Sequence, residues 1–226
     1  MVVTRCESRA SVTVARWYRG PDDRPMEKDE YDLLQERIYQ DLRDGRPVRD
    51  AAVELACFLL DGRPDPVVRE LVERSPGELT DERVAELAGR LIADFEPGFD
   101  LAPERWTTLL EALRTVERDL RATGPNRTAQ VELFQPDWAR EWGTAHVRYD
   151  GQTHGSGIAS WAGTDPDQAL EAVAEALQEQ VMEFTWTVWP LCPIHRTGLH
   201  ASRDAGQRAV WHCRPCSGPV AAIGEL

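Results

Sequence analysis

The chain has 226 residues, 42% of them hydrophobic and 29% charged, a balance typical of a globular protein large enough to bury a core without disulfides. No apolar run approaches the roughly 20 residues that span a bilayer, and no apolar stretch of secretory-signal type follows the first arginines, so no membrane partner and a cytoplasmic location are expected. The net charge is −13; residues 1–25 carry five Arg against three acids and residues 186–226 four Arg against two, which leaves −17 on residues 26–185 and argues against a nucleic acid partner.

Residues 1–25 show no period and contain the cluster Gly20-Pro-Asp-Asp-Arg-Pro25. They are expected to be a disordered extension, non-native or from an upstream start. Lys28 is the only lysine, a mark of a GC-rich genome rather than of function.

Residues 26–124 read as a helical bundle. Tyr31, Leu34, Ile38 and Leu42 form one face of a first helix that stops at Gly45. A second helix starts near Pro47 and carries Ala51, Ala52, Leu55 and Leu59 to Gly62. Asp65-Pro66 pairs an N-cap with proline at the first helical position, predicting a short third helix to Arg74. Thr80 caps a fourth, with Val84, Leu87, Ala88, Leu91 and Phe95 inward. Pro103 opens a fifth, whose stripe is Trp106, Leu109, Leu110, Leu113, Val116 and Leu120, and Gly124-Pro125 ends it.

Residues 129–185 read as a β-β-(β)-α unit. Val131–Phe134 is short and apolar. From Trp142 to Tyr149 the chain alternates, with Ala145, Val147 and Tyr149 on one face. Asp150-Gly151 signals a hairpin, and Thr153–Trp161 is the expected returning strand. Thr164-Asp-Pro-Asp caps a long helix with Ala169, Leu170, Val173, Ala176, Leu177, Val181 and Phe184 inward. Such a helix can cover one side of a small antiparallel sheet. Six of the eight tryptophans lie between Trp138 and Trp211 and are expected to pack in the core or between domains.

Residues 186–226 hold the chemistry. Cys192-Pro-Ile-His195 is followed, after seventeen residues, by Cys213-Arg-Pro-Cys216. Two residues between ligands let both donors of a turn face one ion. Gly198–Arg203 and Gln207–His212 can form a hairpin across Asp204-Ala-Gly206 that brings the turns together. Three thiolates and one imidazole suit tetrahedral zinc, Zn2+, and four protein ligands leave no open position. The expected site is therefore structural, with Cys192, His195, Cys213 and Cys216 as ligands and His200 or His212 as possible substitutes for His195. In so small a lobe, metal binding would be the main source of stability. Cys57, in Ala-Cys-Phe-Leu-Leu, is expected to be a buried small hydrophobe.

The segments Trp189-Pro-Leu-Cys-Pro-Ile-His195, Trp211-His-Cys213 and Ala222-Ile-Gly-Glu-Leu226 resemble the C-terminal zinc-ribbon-like segment of many small uncharacterised actinobacterial proteins. The resemblance covers the final fifth of the chain and the helix before it. It implies a domain type and a source group, and no activity. Some relatives of that kind lack the second cysteine pair, which implies that the metal is dispensable to their fold; both cysteines are present here.

The sequence thus predicts an α+β protein: an N-terminal helical bundle, a small antiparallel sheet with one long helix, and a C-terminal zinc-ribbon-like β-hairpin. No Gly-x-Ser-x-Gly, phosphate loop or dinucleotide fingerprint appears, so no catalytic or further cofactor residue is assigned. A non-enzymatic zinc-binding module whose partner is another protein is the leading expectation. An immunity or antitoxin protein is one concrete version, and the stretch ending in Thr164-Asp-Pro-Asp-Gln-Ala-Leu170 resembles HicB-like antitoxin domains in a generic way. Two alternatives stand: a nucleic-acid-associated regulator using the ribbon, and an enzyme using His146, His154 and Asp150 around the turn, beside the loop Gly155-Ser-Gly157. The plainer reading of the two histidines is half-exposed strand residues.

Overall fold

The computed structural model describes residues 29–60, 66–75, 77–140 and 143–226. The expectations for residues 1–25 and for a cap at Asp65 lie outside them. The chain is α+β, with six helices and two three-stranded antiparallel sheets among the described residues, and it divides into two compact units, 1–95 and 96–226. No described helix is long and apolar enough to cross a membrane.

The N-terminal unit is built from α1 (Glu30–Arg43), α2 (Arg49–Leu59), α3 (Pro66–Glu73) and α4 (Asp81–Leu91). The carboxylate of Asp29 accepts from Asp32 N at 2.9 Å and the hydroxyl of Thr80 from Arg83 N at 3.2 Å, each satisfying an orphan donor of a first turn. Leu34, Ile38, Ala52, Leu55, Val84 and Leu87 form the core, the face that the 3.6-residue period marked out. Cys57 lies toward the margin and is half-buried, because α2 turns its Ala51–Leu55 face inward.

α5 (Pro103–Thr123), which the sequence reading grouped with the bundle, belongs to the C-terminal unit. Its Leu109, Leu113, Val116 and Leu120 pack with Val173, Leu177 and Val181 of α6 (Pro166–Thr185) and with Ala145, Val147 and Tyr149 of the first sheet. The period identified the apolar face; it carried no record of which core that face enters.

The first sheet has the order β1 (Val131–Phe134), β2 (Thr144–Tyr149), β3 (Ile158–Ala159). β1 pairs with β2 from Val131 opposite Tyr149 to Phe134 opposite His146. Asp150 (φ 45) and Gly151 (φ 78) make the expected two-residue turn, closed by Tyr149 N to Gln152 O at 2.9 Å and Gln152 N to Tyr149 O at 3.1 Å. The returning strand is shorter than the Thr153–Trp161 expected. Gly155 (φ +82) and Gly157 (φ +81) leave the extended region, and pairing resumes only at Ile158 opposite Ala145 and Ala159 opposite Thr144. Ser160–Thr164 then form a 3-10 turn, and the Asp165 carboxylate caps α6 by accepting from Gln168 N at 2.9 Å.

The second sheet contains β4 (His200–Arg203), β5 (Ala209–Cys213) and β6 (Gly218–Ala222), in that order. β4 and β5 pair across the Asp204–Gly206 turn as the sequence suggested. β6 is an addition: the lobe is a three-stranded sheet, not a simple hairpin. Gly218-Pro-Val-Ala-Ala222 is too short and too weakly alternating to announce a strand, and its pairing to β5 is interrupted by an irregularity between Trp211 and His212.

The tryptophans divide. Trp189 and Trp211 are buried and meet edge-on, ring centroids 5.7 Å apart. Trp138, Trp161 and Trp186 are exposed, Trp186 to 91%. For these three the expectation of core packing fails: Trp186 sits past the end of α6 at φ 52, where its N–H still bonds Met182 O but its ring has left the helix face.

Candidate metal centre

Two short turns supply the donors. In the first, Cys192 precedes β4: Cys192 N donates to Thr197 O at 2.8 Å and Arg196 N to Cys192 O at 2.9 Å, folding Cys192–His195 into a tight loop. In the second, Cys213 ends β5 and Ser217 N donates to Arg214 O at 3.1 Å before β6 begins. The turns are alike in one respect. The residue after each second ligand, Arg196 (φ 56) and Ser217 (φ 55), takes the left-handed conformation, which redirects the chain away from the ligands. Pairing of β4 with β5 and the Leu191–Gly198 bridge bring the two turns face to face.

The donor atoms of Cys192, His195, Cys213 and Cys216 all lie within 4.8 Å of one another and could hold a metal ion. The Cys192 and Cys216 sulfurs are 3.8 Å apart; His195 Nδ1 is 3.7 Å from Cys192 Sγ, 3.6 Å from Cys213 Sγ and 3.2 Å from Cys216 Sγ. Metal–sulfur bonds of about 2.3 Å and metal–nitrogen bonds of about 2.0–2.1 Å, at tetrahedral angles, require edges of about 3.8 Å between sulfurs and about 3.6 Å between sulfur and nitrogen. Three of the four distances match those edges, and the Cys216–His195 edge is tighter. His195 is thus the imidazole of the set. His200 and His212 face each other across β4 and β5 and do not join it.

The surroundings of the sulfurs differ. The backbone N–H groups of His195 and Ile194 point at the buried Cys192 and hold its thiol at about 6. Burial, reinforced by hydrogen bonds among the neighbouring sulfurs, pushes Cys216 up to about 12. A coordinated cation would override both, since a ligating thiol is deprotonated outright. The Thr197 hydroxyl, 3.7 Å from Cys213 Sγ, is an outer partner of the kind that orients a ligand.

The lobe is fastened to α5 and α6 by buried polar contacts that sequence reasoning missed. Asp119, fully buried on α5, accepts from Trp211 Nε1 at 2.7 Å, Gly224 N at 2.6 Å and Leu226 N at 2.8 Å. The Gln178 amide donates to Trp189 O at 2.8 Å and Leu199 O at 2.7 Å, and Trp189 Nε1 donates to Thr123 Oγ1 at 3.1 Å. The available signal was an acid at position 119 directly beside the apolar positions 116 and 120 of a helix stripe, where a solvated carboxylate has no place.

The histidine constellation is not assembled. His146 is only 2% exposed, not half-exposed. It alternates with Ala145 and Val147, so its ring lies on the sheet face away from α6, beside Trp138 (centroids 5.0 Å apart) and Phe134 (6.2 Å). His154 packs instead on Phe184 of α6 at 4.9 Å, its backbone clamped by the Gln180 amide. The Asp150 carboxylate is engaged by Gln130 N and Asn126 Nδ2. A cavity of about 300 Å³ does lie beside His154, lined also by Gly157, Trp161, Glu175 and Glu179, but His146 is not in its wall.

Neither ring nitrogen of His146 has a hydrogen-bond partner among the described residues, and burial holds its pKa below the usual 6.5. The folded chain therefore takes up this proton less readily than the unfolded chain. Stability from this group is fully present above about pH 6.5 and is lost as pH falls below it toward the folded-state value, at up to about 1.4 kcal/mol per pH unit. His146→Phe is expected to flatten that slope in urea titrations at successive pH values; parallel slopes for the variant and the parent chain would refute it. The chain matches no known family model, no curated protein and no solved structure.

Proposed function

We propose that this chain is a non-enzymatic zinc protein whose C-terminal lobe is a zinc ribbon and whose task is to bind another protein. The observation that carries the reading is the convergence of three cysteines and His195 in a four-donor set, in which the Cys192–Cys216 edge of 3.8 Å and the His195 edges of 3.7 and 3.6 Å to Cys192 and Cys213 suit a tetrahedral ion. Four protein donors fill the coordination of zinc and leave none for a reacting water, which gives the ion a structural role. Exposed apolar side chains support the interaction half: Trp186, Val188, Leu191 and Ile194 follow one another through the first knuckle, with Ile194 exposed to 75%. Aromatic and aliphatic anchors of this kind are what protein interfaces bury. The net charge of −13 favours a basic partner. An immunity or antitoxin protein neutralising a basic toxin is the concrete form of this reading.

The test is cross-linked capture from the source cells, the parent chain beside Trp186→Ser/Ile194→Ser, with zinc measured in both. One zinc per chain in each, and a fixed protein partner lost from the variant, is the expected result. A parent chain that comes out alone, with zinc bound, would remove the interaction half and leave the metal half.

A further inference from the structure

The four ligands are not equally protected. Cys192 and Cys213 are fully buried, whereas Cys216 is only half-buried. Its neighbours leave the approach open: Arg214, Pro215 and Ser217 are exposed, and nothing lies within 4 Å of where a Cβ on Gly218 would stand. Zinc-bound thiolates remain nucleophiles toward oxidants, and once the ion has deprotonated all three sulfurs access decides which reacts first. The sulfur of Cys192 stands 3.8 Å from that of Cys216, on the opposite turn, a gap that small rotations of the two side chains can close to bonding distance.

We propose that Cys216 is a modification site at which a hydroperoxide enters the cluster, that the product is a Cys192–Cys216 disulfide, and that the ion is released with its formation. This rests on the zinc reading above. The Cys216 thiolate attacks one peroxide oxygen; the O–O bond breaks, a sulfenic acid forms and one hydroxide leaves. The Cys192 thiolate then attacks the sulfenyl sulfur; the S–O bond breaks, the S–S bond forms and a second hydroxide leaves. Two thiolates lose two electrons in all, and the peroxide gains them. His195 and Cys213 remain as two donors, too few to retain a structural zinc. The covalent link replaces the ion between the turns, so the lobe stays closed while the exposed first knuckle, with Leu191 and Ile194, is re-set against the second. The docking surface proposed above thereby becomes sensitive to oxidation.

The experiment uses the full zinc-loaded chain, hydrogen peroxide, a chromogenic zinc chelator and mass mapping of disulfides at early times. In parallel, limiting N-ethylmaleimide is added without peroxide. Release of one zinc per chain, a first disulfide between Cys192 and Cys216, and maleimide on Cys216 at least about tenfold ahead of Cys192 and Cys213 are expected. Zinc retained through oxidation, a first disulfide that omits Cys216 or joins it to Cys213, or earlier alkylation of a buried cysteine overturns the proposal while leaving the zinc reading intact. A chain that holds no zinc after reduced purification overturns the zinc reading itself, and this inference with it.

Discussion

Replacing Cys213 and Cys216 together with serine is expected to take the protein from one zinc per chain to none. Serine keeps the shape of each side chain and loses the thiolate, and the remaining Cys192 and His195 cannot complete a tetrahedron. The structural consequence should be local. Trp189, Leu199 and Trp211 stay buried among residues of α5 and α6, and the contacts made by Asp119 and Gln178 do not pass through the ion. The two turns should therefore become protease-sensitive between Leu191 and Ser217 while the rest of the C-terminal unit keeps its far-UV spectrum. Metal analysis beside limited proteolysis checks both halves. Zinc still bound at one per chain in the double variant would show that other donors hold it, and the assignment of the second turn would be withdrawn.

Asp119→Ala should be at least as damaging to stability without touching the metal. It strips the acceptor from three donors at once, the Trp211 indole and the backbone N–H groups of Gly224 and Leu226. A buried donor left unpaired costs about 1–3 kcal/mol, so the sum over three donors is on the order of 3–9 kcal/mol. Asp119→Asn retains one acceptor oxygen and should lose about half as much. Urea unfolding of the two variants, followed through tryptophan fluorescence, measures both. A loss below about 1 kcal/mol for the alanine variant would mean that water replaces the carboxylate, and that the lobe is not fastened at this point.

What the sequence by itself determined was whatever depends on near neighbours. The helix faces of Leu34–Ile38, Ala51–Leu55 and Val84–Ala88 are set by a 3.6-residue period, the caps at Thr80 and Asp165 by side chains that reach their own first turn, and the Asp150-Gly151 turn by residues that tolerate positive φ. The four residues of the cluster that could hold a metal stood out for the same reason, because two donors separated by two residues share one turn. Only the tertiary structure decided the rest. α5 shows an apolar stripe to any core, and contacts with α6 and β2, distant in sequence, assign it to the C-terminal unit. β6 is a strand only because β5 offers it a free edge. The buried role of Asp119 exists only because residues about a hundred positions later bring their N–H groups to it. Likewise, which tryptophans are buried, and which cysteine stays within reach of solvent, follow from packing between segments that no local pattern encodes.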